Sequence, residues 1–443
     1  MCNKRTSSTL FLTIGSLLPN GGHSVSIASD FTASEANSGV PLRTTEFSSD
    51  RACRMSRTFA PAAPPDSVSV MAIPIDPLDH FYCVIPAGGI GSRLWPLSRA
   101  DAPKFLHDLT GSGSTLLRAT WDRLAPISGP DRIMVVTGRA HRAAVEAQLP
   151  DLIDPNVVLE SEPKDSSAAI GLAAAILVRR EPDVIIGSFA ADHVISDQRG
   201  FRRAVVEAVA AARAGYIATI GITPTDAAIG FGYIHCGAAL EIPDAPRAVS
   251  GDSFVEKPDL ATAQSYLEDG NYLWNGGMFI SRADVLLRQL GETEPELLAG
   301  LEELAEAWDT PRRGAVVDRV WPELKKIAID YTVAEPAAAA GRLVVIPGDF
   351  DWDDVGDFAA IAKLHSGGRK SDLAILGENA RVLADSSSGV VISQTGRLIS
   401  LIGVTDIVVV DTPDALLVTT SANAQRVKSV VDALKLSGRS DVL

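Results

Sequence analysis

The segment from Val84 to Leu106, VIPAGGIGSRLWPLSRADAPKFL, constrains the fold of this chain more than any other. It begins with a short apolar run that predicts a buried strand, and three glycines follow within four residues. Because glycine has no Cβ, the backbone N–H groups of such a turn can approach a phosphate closely. Positive charge for binding the same anion then comes from Arg93, Arg99 and Lys104. The segment therefore predicts a phosphate-binding loop.

Two familiar nucleotide-binding loops do not match this segment. A P-loop requires the string G-x-x-x-x-G-K-[ST], which does not occur in the chain. A dinucleotide fingerprint requires G-x-G-x-x-G running into a helix, whereas the spacing here is G-G-x-G and Pro96 and Pro103 interrupt any long helix. On the glycines alone, an ordinary tight turn with surface cations is an equal alternative. The rest of the chain has to decide between these interpretations.

Composition narrows the class of protein. The 443 residues carry a net charge of −15, which argues against a nucleic-acid partner, although a nucleotide can still bind where cations are concentrated. The four cysteines form no C-x-x-C pair, so neither a disulfide framework nor a zinc site is indicated, and a reducing compartment such as the cytoplasm is expected. No apolar stretch approaches the length of a membrane span, so no membrane partner is expected.

The chain divides into three parts by composition and pattern. Residues 1–70 are rich in Ser, Thr, Ala and Pro and lack a sustained period, which predicts a disordered N-terminal extension. An alternative is that translation begins at Met71, which would leave that extension untranslated. Residues 71–366 alternate apolar runs with helical stretches and form the predicted catalytic domain. Residues 367–443 contain closely spaced short strands and end in a predicted helix, which indicates a separate β-rich domain.

The alternation in residues 71–366 predicts an α/β fold, a Rossmann-like mixed and mostly parallel sheet with helices on both faces. In such sheets ligands bind outside the carboxyl ends of the strands. The glycine loop and Asp192, which follows the apolar run Val184–Phe189, both fall at such ends. Asp192 suits a turn or helix cap, and it equally suits Mg²⁺, which takes one or two carboxylates together with phosphate oxygens.

Several further motifs combine with the loop into one pattern. They are Gly230-Phe231-Gly232-Tyr233-Ile234, Phe254-Val255-Glu256-Lys257-Pro258, Leu273-Trp274-Asn275-Gly276-Gly277-Met278-Phe279, and the acidic run from Phe350 to Asp357. Together with Arg93-Leu94-Trp95-Pro96-Leu97-Ser98, they resemble the sugar-1-phosphate nucleotidyltransferases, and most closely the mannose-1-phosphate guanylyltransferase branch. The resemblance extends from about residue 82 to residue 436 and includes the β-rich C-terminal part.

The resemblance implies roles for individual residues. It implies catalytic roles for Arg93, Lys104 and Lys257. It implies contacts with the nucleotide for Ala87, Gly88, Gly89, Gly91, Ser92, Lys164 and Asp165. It implies contacts with the sugar phosphate for Gly232, Tyr233, Glu256, Lys257, Asn275 and Gly276. Finally, it implies Mg²⁺ as the cofactor, with Asp192 and Asp354 as its ligands.

The resemblance also implies a reaction, in which GTP and mannose 1-phosphate give GDP-mannose and pyrophosphate, and it suggests a homodimer. Lys164-Asp165-Ser166 stands where the family usually has R-N-T near the base, so the choice of base stays open. Two alternatives remain: a related nucleotidyltransferase that uses another sugar or base, and an inactive regulatory homologue of the same fold. The charged positions named above are all present, which favours an active enzyme.

Overall fold

The computed structural model describes residues 77–366 and 372–443. The predicted N-terminal extension lies outside these ranges, and so do residues 71–76 and the predicted domain boundary after residue 366. In the described ranges, no helix combines the length and the apolar character that crossing a bilayer requires.

A nine-stranded sheet forms the centre of the larger part, with the strand order β3-β2-β1-β4-β9-β6-β10-β8-β7. Seven of its strands run in one direction, while β8 and β9 run in the other. The strands, including the short pair β5 and β11, are β1 (Phe81–Ala87), β2 (Ile133–Gly138), β3 (Val157–Glu160), β4 (Ile185–Ser188), β5 (Val194–Ile195), β6 (Ile217–Ile222), β7 (Tyr233–Ala239), β8 (Val249–Val255), β9 (Tyr272–Arg282), β10 (Leu343–Gly348) and β11 (Trp352–Asp353).

Helices cover both faces of this sheet. Val84 of β1 belongs to the core on one face, and Cys83 and Ile85 belong to the core on the other, as the alternation of side chains along a strand requires. The helices are α1 (Leu116–Ser128), α2 (Arg142–Gln148), α3 (Ser166–Arg180), α4 (Gln198–Arg213), α5 (Leu260–Asp269), α6 (Ala283–Thr293), α7 (Pro295–Trp308), α8 (Arg313–Val320), α9 (Glu335–Ala339), α10 (Phe358–Ser366) and α11 (Val427–Leu436). The predicted α/β class is confirmed.

The C-terminal part is β-rich, as predicted. Its strands are β12 (Leu373–Leu376), β13 (Arg381–Asp385), β14 (Gly389–Ser393), β15 (Leu398–Ile402), β16 (Ile407–Asp411) and β17 (Leu416–Thr420). Strands β12, β14 and β16 pair in parallel, and so do β13 and β15, which is the pairing of a chain that winds in successive coils. Strand β17 pairs antiparallel with β16, and α11 follows.

The two parts share one apolar cluster. Leu94 and Trp95, just after the glycine loop, pack with Val410 of β16 and with Val427 and Val431 of α11. The indole N–H of Trp95 donates a buried hydrogen bond of 2.7 Å to the carbonyl of Val442. The C-terminal part therefore fixes the segment that follows the glycine loop.

Candidate functional site

The glycine loop begins where β1 ends, at Ala87, and it closes onto Lys104. Gly91 has φ +75°, and a Cβ placed on it would lie only 2.7 Å from Cβ of Lys104, so this position requires glycine. The backbone N–H of Lys104 donates to the carbonyl of Ile90 at 3.1 Å, and Oγ of Ser98 donates to the carbonyl of Gly91 at 2.5 Å. These contacts hold the last glycine of the loop against the lysine.

The side chain of Lys104 joins the loop to both predicted metal ligands. Its Nζ lies 2.7 Å from Oδ2 of Asp192 and also donates a hydrogen bond to the backbone carbonyl of Asp354. Lys104 is only 5% exposed, so its charge acts in a shielded environment. One cation therefore connects three segments that are far apart in sequence.

A two-stranded antiparallel pairing explains why the two aspartates meet. Val194 of β5 pairs with Asp353 of β11, and Ile195 pairs with Trp352. Because the strands run in opposite directions, the residues just before β5 lie beside those just after β11. Asp192 and Asp354 occupy those places. The structure thus brings the two residues together as the predicted Mg²⁺ site requires, and their role as ligands stays a prediction.

The electrostatics of the two aspartates differ. Burial, together with the negative charges of Asp353 and Asp192, raises the pKa of Asp354 to about 6, although Lys104 opposes the shift. Burial also acts to raise the pKa of Asp192, but the charge and the hydrogen bond of Lys104 oppose it, and this pKa lies below its ordinary value. The two carboxylates thus form a site with excess negative charge that a cation would relieve.

The residues present fit Mg²⁺ better than a metal that needs many protein ligands. Within residues 77–366 and 372–443, no three or more His, Cys, Asp or Glu side chains cluster as a metal site. Mg²⁺ needs only one or two carboxylates when phosphates and water complete its shell. The carboxylate of Asp354 accepts a hydrogen bond from the N–H of Gly356 at 3.2 Å and keeps acceptor capacity. Val355 between them has φ +46°, a strained turn of the kind found at functional sites.

The other two cations near the loop differ in their surroundings. Arg93 is exposed, and in the part of the chain that the structure describes it has no ion-pair partner. Arg99, which the sequence suggested as a further charge for the anion, points elsewhere. Its guanidinium donates to the carbonyl of Pro96 at 2.7 Å and to Asp414 at 2.8 Å. Arg99 thus ties the loop segment to the C-terminal part, because Asp414 lies there.

The predicted sugar-binding residues lie at neighbouring strand ends. The carboxylate of Glu256 contacts Nζ of Lys257, and Lys257 itself has φ +47°. A Cβ placed on Gly232 would lie 2.6 Å from Oε2 of Glu256, so the glycine allows that carboxylate to approach. The N–H of Asn275 donates to the carbonyl of Gly232 at 2.8 Å. The structure therefore brings Gly232, Glu256, Lys257 and Asn275 to one place.

A hydrogen-bond network fixes the amide of Asn275. Its Oδ1 accepts from Oγ1 of Thr219 at 3.2 Å and from the N–H of Gly277 at 3.1 Å. Its Nδ2 donates to Oδ1 of Asp330 at 2.8 Å. Burial and the charge of Glu256 raise the pKa of Asp330 to about 6. Asp330 was missed from the sequence, where an acidic residue between Ile329 and Tyr331 before a helix had no distinguishing signal.

Two of the predicted sugar-binding residues, Tyr233 and Gly276, mainly contact other parts of the protein. Tyr233 is fully buried, and its hydroxyl donates to the carbonyl of Ala228 at 3.0 Å. A Cβ placed on Gly276 would lie 2.7 Å from the carbonyl oxygen of Ile220, so this glycine allows close strand packing. The hydroxyl of Tyr233 therefore already has a hydrogen-bond partner in the protein. Both residues could still contact a ligand through their backbone.

His193 connects the sugar side with the carboxylate side. A Cβ placed on Gly277 would lie 3.7 Å from the imidazole of His193, and Nε1 of Trp352 donates to its Nδ1 at 3.3 Å. Burial lowers the pKa of His193 to about 4, so the ring is neutral at pH 7. The ring therefore acts in packing and orientation. The imidazole thus lies close to Gly277 on the sugar side, and His193 directly follows Asp192 in the chain.

The residues predicted near the base lie at the start of α3. Nζ of Lys164 is buried and donates to the carbonyl of Pro322 at 2.5 Å, and it pairs with Glu162 at 2.8 Å. Asp165 is exposed with φ +72°, and its carboxylate accepts from the N–H of Ser166 at 3.0 Å. The amine of Lys164 is thus committed to the protein, whereas Asp165 borders open space.

Family models match both parts of the chain. One described as "Nucleotidyl transferase" matches residues 82–370, and one described as "MannoseP isomerase/GMP-like beta-helix domain" matches residues 379–434. The first covers the glycine loop and every predicted site residue. The second covers strands β13 to β17 and most of α11.

Individual proteins resemble the chain over most of its length. Xanthan biosynthesis protein XanB of Xanthomonas campestris pv. campestris (strain B100) is 36% identical over 364 residues, which are 81% of this chain and 74% of that protein. Mannose-1-phosphate guanylyltransferase of Escherichia coli (strain K12) is 35% identical over 365 residues, again 81% and 74%. A crystal structure described as mannose-1-phosphate geranyltransferase from Thermus thermophilus superposes with a TM-score of 0.71 at 32% identity, covering 80% of this chain and 99% of that one.

Proposed function

The chain belongs to the nucleotidyltransferase family, and on that premise we propose that it transfers the guanylyl group of GTP to mannose 1-phosphate, giving GDP-mannose and pyrophosphate. The observation that carries this proposal is the position of Lys104. The stem of its side chain packs against Gly91 of the glycine loop, and its amine contacts the carboxylate of Asp192 and the backbone carbonyl of Asp354. A triphosphate on the loop would meet one buried cation and two carboxylates at the same point.

The reaction needs positioning and charge more than a strong base. An oxygen of the sugar phosphate attacks the α-phosphorus in line, its bond to phosphorus forms, and the bond to the pyrophosphate oxygen breaks. The nucleophile is already anionic, so no proton has to be removed from it. The neutral His193 is consistent with this, because its low pKa makes it a poor base. Catalysis then rests on holding two anions in line and neutralising their charge.

The residues divide this work between them. The backbone of Gly88–Gly91 and Ser92 holds the triphosphate, and Arg93 and Lys104 neutralise it. Lys257, exposed beside Glu256, holds the sugar phosphate, and Asn275 with Glu256 orients the sugar hydroxyls. Asp192 and Asp354 would hold Mg²⁺, which would supply further neutralisation of the phosphate charge. The proposal includes that the protein forms a homodimer and resides in the reducing cytoplasm.

A pyrophosphate-release assay tests both the reaction and its specificity. GTP, ATP, UTP and dTTP are each combined with mannose, glucose and fucose 1-phosphates in the presence of Mg²⁺. We expect the highest kcat/KM for GTP with mannose 1-phosphate. A maximum at another pair would establish the related transferase, and no turnover by the folded protein would establish the inactive homologue.

Variants of the two aspartates test the metal assignment. We expect Asp192→Asn and Asp354→Asn each to lower kcat by at least about 10²-fold, because a positioned charge is lost at the reacting phosphates. Asp432→Asn, at an exposed position of α11 that is not among the proposed binding residues, removes the same charge and should leave kcat unchanged. Circular dichroism checks that every variant is folded. Near-normal turnover in either site variant would refute the assignment.

A further inference from the structure

His193 has one ring nitrogen that the packing of its side chain leaves free. Nε1 of Trp352 donates to Nδ1 of the imidazole at 3.3 Å, and the two rings meet edge to face with their centroids 5.2 Å apart. Within residues 77–366 and 372–443, the other nitrogen, Nε2, has no hydrogen-bond partner, and it is not among the fully enclosed polar atoms. Nε2 is therefore open to a ligand.

The hydrogen bond from Trp352 determines which ring nitrogen carries the proton. An indole N–H can only donate, so Nδ1 of His193 has to present its lone pair. An imidazole that is unprotonated at Nδ1 carries its single N–H on Nε2. His193 therefore presents an uncharged N–H donor at Nε2, and this nitrogen accepts no hydrogen bond.

Both the backbone and the ring of His193 are held in place. The guanidinium of Arg123 donates to the carbonyl of His193 at 3.1 Å. Trp352 is fixed in turn, because it pairs with Ile195 between β11 and β5 and because the ring of Phe231 packs against it, with the centroids 5.2 Å apart. A donor that is already oriented loses little conformational freedom when it binds a ligand.

The free donor lies between the two halves of the proposed site. On one side, Asp192 directly precedes His193 in the chain. On the other side, Cε1, the carbon bonded to both ring nitrogens, lies 3.7 Å from the position of a Cβ placed on Gly277. Gly277 donates its N–H to Oδ1 of Asn275 at 3.1 Å. The imidazole therefore lies between a proposed metal ligand and the segment of β9 that carries the proposed sugar-binding amide.

The part of mannose 1-phosphate that would join these two halves is its phosphate. In the proposed reaction the sugar lies at Asn275 and the reacting phosphates lie at Asp192 and Asp354, so the phosphate on C1 lies between them. Its oxygens are anionic acceptors, and a hydrogen bond to a charged acceptor is roughly twice as strong as one between neutral groups. An uncharged donor supplies that bond without adding a further positive charge beside Lys104.

We propose that Nε2–H of His193 donates a hydrogen bond to an oxygen of the sugar phosphate, and that Trp352 is the positioning residue that keeps the proton on Nε2. The inference rests on the proposed guanylyl transfer and adds an uncharged donor for its nucleophile. The donor keeps its proton throughout the reaction, so no acid or base step is involved.

Two amide variants separate this role from a role in packing. The amide of glutamine reaches the place of Nε2 and can donate there, whereas the shorter amide of asparagine takes the place of Nδ1 and can accept from Trp352. We expect His193→Asn to lower kcat/KM for mannose 1-phosphate by about 10- to 100-fold at saturating GTP, as for a lost hydrogen bond to a charged group. His193→Gln should recover most of that loss. A role in holding Trp352 predicts the reverse order, which would overturn the inference.

A double-mutant cycle tests the positioning by Trp352. Trp352→Phe keeps an aromatic ring and removes the N–H, and we expect it to lower the same kcat/KM by roughly two- to tenfold. In the His193→Asn background it should have no further effect, because the donor that it orients is already gone. Equal losses in both backgrounds, or no loss in the wild-type background, would refute this part.

The position of the proton can also be measured without turnover. Proton–nitrogen NMR of the histidine-labelled protein, with His193→Gln for assignment, should show the N–H of His193 on Nε2, and an N–H on Nδ1 would overturn the inference. The ratio of kcat/KM for mannose and glucose 1-phosphates should be the same in His193→Asn as in the wild type. A changed ratio would place the donor on a sugar hydroxyl and also overturn it.

His80→Asn is the matched control. His80 directly precedes β1, at the end of that strand opposite the glycine loop, and its φ of +60° is one that asparagine tolerates. This variant should leave kcat/KM unchanged. A wild type that turns over no sugar phosphate refutes the proposed function itself, whereas the proton on His193 can still be located in that protein, which separates the two failures.

Discussion

Replacing Glu160 with glutamine should stabilise the nucleotide-free protein at alkaline pH. The pKa of this carboxyl rises from 4.5 to about 7 on folding, chiefly because it is buried. Between these two values the folded chain holds a proton that the unfolded chain has released. The contribution of this group to the free energy of unfolding is therefore most favourable below pH 4.5, and it is lost as the pH rises through 7.

The size of the effect follows from linkage. With these two pKa values, the free energy of unfolding contributed by Glu160 falls by about 2–3 kcal/mol between pH 5 and pH 8. Glutamine has the same shape and no charge, so the variant lacks this loss. The stability of the variant relative to the wild type should therefore increase by about 2–3 kcal/mol over the same range. Asp330 and Asp354, whose pKa values are about 6, titrate in both proteins and cancel in the difference.

Urea unfolding followed by tryptophan fluorescence at pH 5, 6, 7 and 8 measures the difference. Glu268→Gln provides the control, since an exposed carboxylate should give a difference that does not depend on pH. A constant difference for Glu160→Gln would mean that its carboxylate is hydrated or paired, and the reasoning from burial would be refuted.

Three further outcomes follow from the geometry of the site. Gly91→Ala should lower the free energy of unfolding by about 1–3 kcal/mol, because alanine is strained at φ +75° and its Cβ would contact Lys104. Gly89→Ala is the control, because a Cβ there has open space, and equal urea midpoints for the two variants would contradict the prediction. Trp95→Phe removes the buried hydrogen bond to Val442 and should lower stability by about 1 kcal/mol, measured by the same unfolding, with no change being the contrary result. Asp330→Ala should raise KM for mannose 1-phosphate and leave KM for GTP unaltered, because Asp330 holds the amide of Asn275. Steady-state kinetics measures both constants, and an equal rise in the two KM values would contradict the prediction.

The sequence was sufficient for the fold class and for the segments that line the crevice. Apolar runs that end in glycine or acidic residues indicate where buried strands end. The loop at Gly88–Gly91 and the residue Asp192 could therefore be placed at strand ends from the sequence alone. The helix predicted at the end of the C-terminal part corresponds to α11, Val427–Leu436.

The tertiary structure decided which of these segments touch. The sequence could not show that Arg99 turns to Asp414, that Asp330 holds Asn275, or that the carboxylate of Glu160 lies beside Gly88. Residue patterns record burial along one segment, since burial repeats with the period of the strand or helix. Contacts between segments depend instead on strand order and register, such as the pairing of β5 with β11 that brings Asp192 to Asp354. Those are set by the packing of the whole sheet, and so the charges at its edge become known only when the chain is folded.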